Sequence, residues 1–297
     1  MNNEINILEI SENETKTSVA LGMFDGLHLG HAEVIKTALS VPDFSLTPAV
    51  FTFNSLPKAA ESIMTAGMKF ALLKSMGIKS ICAPEFETVS SLSAEEFVDE
   101  ILVDRMNAGR VTCGWNFKFA KGAKADTDDL KRICAERGIE VVVIPPIIID
   151  GHPVNSTLIR ELIRHGDIKT ANLMLGRELM YELPVVEGGK LARRLGAPTI
   201  NQNIPAECII PKFGVYKSRV TYDVINYIAV TNIGVKPTVG GGISKPIMET
   251  HIPGFNTEVY GHTVKVKLLN FIREEKKFDS LDALKEQIQI DIKEACS

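Results

Sequence analysis

Hydrophobic positions follow two alternating rhythms over the first 175 or so residues. Short apolar runs at Val19–Met23, Ala49–Phe53, Ser80–Ala83, Arg110–Cys113 and Glu140–Ile144 predict strands. Between them, His31–Leu39, Ala59–Met76, Ala94–Met106 and Asp128–Arg137 carry apolar residues at helical spacing. Strands that alternate with helices pair in parallel, with the helices covering the sheet, so an α/β domain of Rossmann-like type is expected. Two more helices are expected at Ser156–His165 and Ile168–Leu175, with Asn155 or Ser156 capping the first and Asp167 the second.

Beyond Gly176 the texture changes. Tyr181–Glu187 reads as a strand, a Gly- and Arg-rich loop comes next, and Val215–Tyr222 and Ile225–Thr231 form a hairpin around Asp223. His262–Phe271 is a further strand, and a last helix capped by Asp279 or Ser280 carries Leu281, Leu284, Ile288 and Ile292 on one face. Strands without intervening helices predict a small antiparallel β-barrel with a terminal helix. The boundary falls between Gly176 and Pro184, giving domains 1–178 and 179–297.

The chain's 297 residues are ample for two domains of about 100–200 residues each. With 33 basic against 37 acidic residues the net charge is −4, which argues against a protein whose task is to grip nucleic acid. The five cysteines are scattered with no Cys-x-x-Cys pair, so neither a disulfide framework nor a thiolate metal site is expected. The opening residues are neither basic nor apolar, and Pro145-Pro146 interrupts the most apolar run. A cytoplasmic protein that acts on small molecules, engages no membrane and is compatible with oligomerisation is the expectation.

The densest chemistry lies in Gly22-Met-Phe-Asp-Gly-Leu-His-Leu-Gly-His31, where a strand enters a glycine turn and a helix leaves it. Glycines let backbone approach a ligand closely, and the free amides that open a helix favour anions. Imidazoles at His28 and His31 can neutralise charge that builds on a phosphate chain. On this basis Gly22, Gly26 and Gly30 are candidate nucleotide-phosphate positions.

This stretch resembles the Gly-x-Phe-Asp-Gly-x-His-x-Gly-His signature of the nucleotidyltransferases, and specifically of the prokaryotic bifunctional riboflavin kinase/FAD synthetase family. The resemblance implies a nucleotide-phosphate role for Phe24 and Asp25 as well. Asn155-Ser-Thr-Leu-Ile-Arg160 is similar to that family's Ser-Ser-Thr-x-Ile-Arg, which implies that Ser156, Thr157 and Arg160 hold polyphosphate. Gly114-Trp-Asn-Phe-Lys-Phe resembles a family stretch that puts Asn116 near ligand, and Asp167 matches the layout downstream. Asn54 belongs to a segment, Val50–Pro57, that has Ser55-Leu56 in place of the family's Pro-His pair. Asn54, Asn116 and Asp167 are the candidate flavin contacts. Trp115, Phe117 and Phe119 could stack on a flat ring or belong to the core. Lys118, Lys121 and Lys124 could line a phosphate path or form a solvated loop.

In the second half, Gly188 to Asn201 resembles the riboflavin kinase motif Gly-Arg-x-Leu-Gly-Phe-Pro-Thr-Ala-Asn, with Ala192, Ala197 and Ile200 as departures. Gly188 and Arg193 are its candidate phosphate contacts. Thr199 and Asn201, two apart on an extended segment, project the same way and offer oxygen ligands suited to Mg²⁺. Glu249, in Met248-Glu-Thr-His-Ile252, matches the acid that serves this family as general base. The resemblance implies phosphorylation of riboflavin to FMN and adenylylation of FMN to FAD, with ATP as co-substrate. A single-activity FMN adenylyltransferase with an impaired kinase half, and a non-catalytic flavin or nucleotide sensor, are the alternatives.

Overall fold

The protein is described by a computed structural model, which defines residues 15–40, 46–55, 61–187, 199–236, 245–255 and 257–296. Contacts divide the chain into two compact units, Met1–Ser156 and Thr157–Ser297.

The first unit is built on five parallel strands, β1 (Thr17–Leu21), β2 (Thr47–Phe51), β3 (Ser80–Cys82), β4 (Ala108–Gly114) and β5 (Glu140–Ile144), in the order β3-β2-β1-β4-β5. Val19, Leu21, Ala49, Phe51, Val111 and Cys113 face a core completed by Phe97, Ile101, Leu102, Leu130 and Ile133. Ala20 and Val50, one position out of phase, are also fully buried. Burial on both faces is what a parallel sheet covered by helices requires. The winding reverses between β1 and β4, and the crevice beyond the carboxyl ends of strands at such a switch point is where open α/β sheets bind ligands.

The helices are α1 (Leu29–Leu39), α2 (Ala66–Ser75), α3 (Phe86–Val89), α4 (Ala94–Glu96) and α5 (Thr127–Glu136). α4 runs directly into a wider helix at Phe97–Arg105 with i→i+5 hydrogen bonding, which keeps Phe97, Ile101 and Met106 on the buried side. The expected helix from Ala59 to Met76 is corrected over residues 61–65, which are not helical (Ala59 and Ala60 lie outside the described residues): α2 starts after Thr65, whose hydroxyl accepts the Met68 N–H. Just before it, the Ile63 N–H is taken by the Asp25 carboxylate at 2.8 Å, so that segment is tied to the loop after β1. A two-residue hairpin, β6 (Ile148–Ile149) and β7 (His152–Pro153), precedes α6 (Ser156–His165).

Thr157 onward packs with the second unit, and α7 (Ile168–Leu175) shows how. The Asn172 side chain donates to the Leu268 carbonyl at 2.9 Å and accepts the Leu179 N–H at 2.7 Å. The sequence boundary at 178/179 marks the change from helix to strand, whereas contacts group α6 and α7 with the antiparallel strands of the second unit.

Six antiparallel strands make the second sheet: β8 (Leu179–Pro184), β9 (Thr199–Asn203), β10 (Gly214–Tyr222), β11 (Ile225–Lys236), β12 (Lys245–His251) and β13 (Thr263–Arg273), ordered β8-β13-β10-β11-β12-β9. The sheet curls until its edges meet. The Val186 N–H donates to the Asn201 carbonyl at 2.8 Å, and the buried Gln202 amide donates to the Leu183 and Val264 carbonyls at 2.7 and 2.9 Å. Closure of this kind removes the exposed edges that an open sheet leaves. Inside run Tyr216, Val220, Met248, Val266 and Leu268, with linked hydroxyls of Ser218, Thr231 and Thr250 at 2.7 and 2.9 Å.

The terminal helix α8 (Leu281–Cys296) is capped by Ser280, whose hydroxyl accepts the Ala283 N–H at 3.1 Å. Ile292 and Ala295 pack on Val215 and Val230, and Asp291, nearly buried, takes a two-point bond from Arg273 at 2.9 and 2.7 Å.

Candidate active sites

The first site grows from the end of β1. Gly22 still pairs with the sheet through its N–H to the Phe51 carbonyl at 3.2 Å, but the chain then turns left-handed at Phe24 (φ 51), Gly26 (φ 77) and Leu27 (φ 40). Positive φ costs a side-chain-bearing residue about 1–3 kcal/mol, so the surroundings must hold the turn in place. Three contacts do so. The Phe24 ring is fully buried, the Asp25 carboxylate binds the Ile63 N–H, and the Asp25 carbonyl accepts the Ser156 hydroxyl at 2.9 Å. At Gly26 (φ 77) a β-carbon would sit 2.8 Å from the Ile63 side chain, so another residue there is strained in torsion and must displace Ile63.

The turn delivers two imidazoles to the start of α1. His28 is its N-cap, with Nδ1 accepting the His31 N–H at 3.3 Å, and the two rings stack with centroids 3.6 Å apart. The Phe24 ring meets His31 edge-on at 5.2 Å. Close packing also explains Gly30, where a β-carbon would lie 3.2 Å from the His28 ring. The result is a helix N-terminus with oriented amides and paired imidazoles at the switch point of the sheet, an arrangement suited to a phosphate chain.

Two further candidates of the first unit, Asn54 and Asn116, follow the carboxyl ends of β2 and β4. Asn54, exposed beyond β2, donates to Glu85 at 3.2 Å, and Ser55 reaches the same carboxyl group at 3.5 Å. Asn116 is exposed beyond β4. Of the aromatic trio, Phe119 is core and stacks with Phe117 at 5.8 Å, while Trp115 is 50% exposed. Lys118 pairs with Asp126 at 3.7 Å, and Lys121 and Lys124 are exposed. On α6 the Arg160 guanidinium reaches the Thr157 hydroxyl at 3.4 Å, and Asp167 caps α7 by accepting the Thr170 N–H at 3.1 Å.

One residue at the first site escapes a sequence reading. Lys69 is buried beneath the loop, hydrogen-bonded to Thr52 and to backbone carbonyls, with its pKa lowered to about 8 by burial against the opposing influence of Asp25. A lysine inside an apolar helix pattern looks like any solvated lysine until the fold buries it.

The second site is a row across three strands. Glu249 on β12 stands directly opposite Asn201 on β9 and Asn232 on β11, and Thr199 stands opposite His251. Their neighbours Ile200, Gln202, Met248 and Thr250 fill the interior, so Thr199, Asn201, Asn232 and Glu249 share the outer face. Glu275, after β13, joins this face: its carboxylate accepts from the Asn232 amide at 3.2 Å and lies directly over Gly234, so that a β-carbon there would push the carboxylate aside. Sequence reading passed over Glu275, and β12 had no strand assigned to it.

Asn201 is nearly buried, and its Oδ1 has no hydrogen-bond partner among the described residues. An unpartnered buried amide oxygen beside a hydroxyl and a carboxylate is a hard-donor set that fits Mg²⁺. Gly188 and Arg193, with Ala192 and Ala197, lie outside the described residues.

Known proteins divide along the same line. A family described as Riboflavin kinase matches residues 175–297, and one described as FAD synthetase matches residues 10–158. A bifunctional riboflavin kinase/FMN adenylyltransferase from Bacillus subtilis (strain 168) is 32% identical over 303 residues, covering 96% of this chain and 93% of the relative. The chain belongs to the bifunctional riboflavin kinase/FMN adenylyltransferase family. Another member of the family, from Pseudomonas fluorescens, is 32% identical and covers 92% of this chain and 89% of its own. A crystal structure titled Macrolide-efflux Protein from Streptococcus pneumoniae superposes with a TM-score of 0.87 at 30% identity, covering 98% of this chain and 97% of that one. Among the described residues no helix is long and apolar enough to cross a membrane.

Proposed function

We propose that this chain is a bifunctional flavin-nucleotide enzyme that phosphorylates riboflavin to FMN and adenylylates FMN to FAD, using ATP for both. The observation that carries this reading is the presence of both family matches, in order, in one chain that aligns along nearly its whole length with relatives named for both activities. We assign adenylylation to residues 1–178 and phosphorylation to residues 179–297.

In the kinase half, the terminal ribityl hydroxyl of riboflavin attacks the γ-phosphorus of ATP, the bond to the β-phosphate oxygen breaks, and ADP leaves. Glu249 accepts the hydroxyl proton. Little covalent chemistry is asked of the protein in phosphoryl transfer, so placing the alcohol and neutralising charge are its main tasks. Thr199 and Asn201 would hold Mg²⁺, which supplies charge neutralisation at the phosphates when bound. Gly188 and Arg193 complete the assignment on the nucleotide side.

In the adenylylation half, a phosphate oxygen of FMN attacks the α-phosphorus of ATP and pyrophosphate leaves, with no covalent enzyme intermediate. Gly22, Phe24, Asp25, Gly26 and Gly30 shape the loop, and His28 and His31 stabilise charge as pyrophosphate departs. Ser156, bonded to the Asp25 carbonyl, begins the Ser-Thr-x-Ile-Arg stretch through which Thr157 and Arg160 are assigned to the polyphosphate. Asn54 and Asn116 are assigned to the flavin from the ends of β2 and β4, and Asp167 by the family layout.

The test is a time-resolved chromatographic product profile from riboflavin, ATP and Mg²⁺. FMN is expected first and FAD after it, with both steps lost on chelation of the metal. FAD from supplied FMN without FMN from riboflavin would leave an adenylyltransferase alone. Tight flavin binding without turnover would mark a sensor.

A further inference from the structure

Lys69 is a cation sealed inside the first unit. It lies on the first turn of α2, yet is only 6% exposed. Its Nζ is 2.6 Å from the Phe53 carbonyl oxygen, 3.2 Å from the Thr52 hydroxyl and 3.4 Å from the Met23 carbonyl oxygen. The Thr52 hydroxyl in turn donates to the same Met23 carbonyl at 2.9 Å.

An ammonium has three N–H donors and no acceptor. Three protein oxygens therefore use the whole of it, and nothing remains to bind a phosphate directly. Two of those routes end on Met23, the residue before Phe24, where the backbone turns left-handed into the histidine loop. Packing alone would be served better by an apolar side chain, because burying a charge costs free energy that leucine or methionine avoids.

We propose that Lys69 is a positioning residue for adenylyl transfer: its ammonium clamps the Met23 carbonyl to the end of β2 and so holds the backbone from which Phe24, Asp25 and His28 are presented. The inference rests on the adenylylation reading of the first unit and adds to it a proton-dependent support that the family signature does not contain.

The clamp depends on charge. The groups that face Lys69 are the Asp25 carboxylate from the loop after β1, the Met23 carbonyl, the Thr52 hydroxyl and Phe53 carbonyl after β2, and the Phe70 ring of its own helix at 5.5 Å. On β3, burial pushes the Cys82 thiol up to about 11, so it stays uncharged over the relevant range. Desolvation lowers Lys69 to about 8, with Asp25 opposing. Once neutral, the amine keeps two donors for three acceptors, and one arm of the clamp is lost. Adenylyl transfer is therefore expected to fall as pH rises through about 8.

Stability runs the other way. Between about 8 in the fold and about 10.4 for an ordinary lysine the unfolded chain binds the extra proton, so this group's contribution to stability rises with pH. An activity loss caused by general loosening would not show that opposition of signs.

The experiment measures FMN-to-FAD and riboflavin-to-FMN turnover of the full chain across this range, for the wild type, Lys69→Met and Lys69→Arg. A parallel NMR titration follows the carbon-labelled lysine side chains. In the wild type, kcat for FAD formation should fall with the midpoint at which Lys69 titrates, while FMN formation shows no such limb. Lys69→Met should lower kcat for FAD formation at least about tenfold and remove the limb, since loss of alignment costs rate steeply. Lys69→Arg, still charged at these pH values, should recover part of the rate and move the limb upward.

The clamp is overturned by wild-type kcat in Lys69→Met, or by an unshifted limb in both variants. Should neither variant fold, the wild type decides: coincident midpoints support the clamp, and midpoints more than about one unit apart overturn it. A wild type that forms no FAD at any pH overturns the adenylylation reading, and the clamp with it. FAD formation indifferent to Lys69 overturns the clamp alone.

Discussion

The two sites are built in opposite ways. Residues 22–31 make the first from ten consecutive positions, a strand end, a left-handed turn and a helix cap, so its parts are close together before the rest of the chain folds. The second gathers Thr199, Asn201, Asn232, Glu249 and Glu275 from three strands and a more distant loop, and only strand register sets them side by side. A contiguous site depends on its local torsions and on what braces them. An assembled site depends on the period-two alternation of each strand, because a slip of one residue turns Glu249 to the interior.

The largest expected effect separates the two halves by chemistry. Glu249→Gln keeps size and removes the base, and should lower kcat for FMN formation by about 10²–10⁴ while FAD formation from supplied FMN is unchanged. Initial rates with each flavin check it, and unchanged kinase turnover would discard the base assignment. His28→Ala should do the reverse, lowering FAD formation about 10²-fold through loss of charge stabilisation. Equal loss of both activities would break the view of the halves as independent.

Smaller effects test what braces the local site. Gly26→Ala forces a β-carbon into left-handed backbone 2.8 Å from Ile63, and should destabilise the first unit by about 2 kcal/mol. Urea unfolding monitored by Trp115 fluorescence, with kinase turnover as the reporter of the other half, measures it. The smallest effect is at α5, where Asp126 accepts the Asp128 and Asp129 N–H groups, which hold its carboxyl below the ordinary range. That contribution is complete above about 3.9, the unfolded value, and disappears as pH falls through the lower folded value. Asp126→Ala should therefore lower the melting temperature slightly near neutrality and least in strong acid.

The same contrast explains how much could be read in advance. The parallel sheet, the change of texture after Gly176 and the histidine loop were legible because each is written in neighbouring residues. A cap for the last helix at Asp279 or Ser280 was legible for the same reason, and the structure uses Ser280. The start of α2 was not: the Asp25 carboxylate, 38 positions away, takes the Ile63 N–H and the helix waits for Thr65. β12 was missed because its outer residues, Glu249 and His251, are as polar as a loop when the buried partners of its inner face are unknown.

By itself, then, the order of residues determined the two kinds of layer, the glycine turn with its paired imidazoles, and the outward pairing of Thr199 with Asn201. Those are consequences of torsional preference and periodicity, which act over a few bonds. Folding alone decided that Asn201 and Asn232 flank Glu249, that Glu275 lies over Gly234, and that Lys69 is buried with its three donors on Met23, Thr52 and Phe53. Burial and register are properties of what surrounds a residue in space, and a lysine or a glutamate carries no mark of either until distant strands close around it.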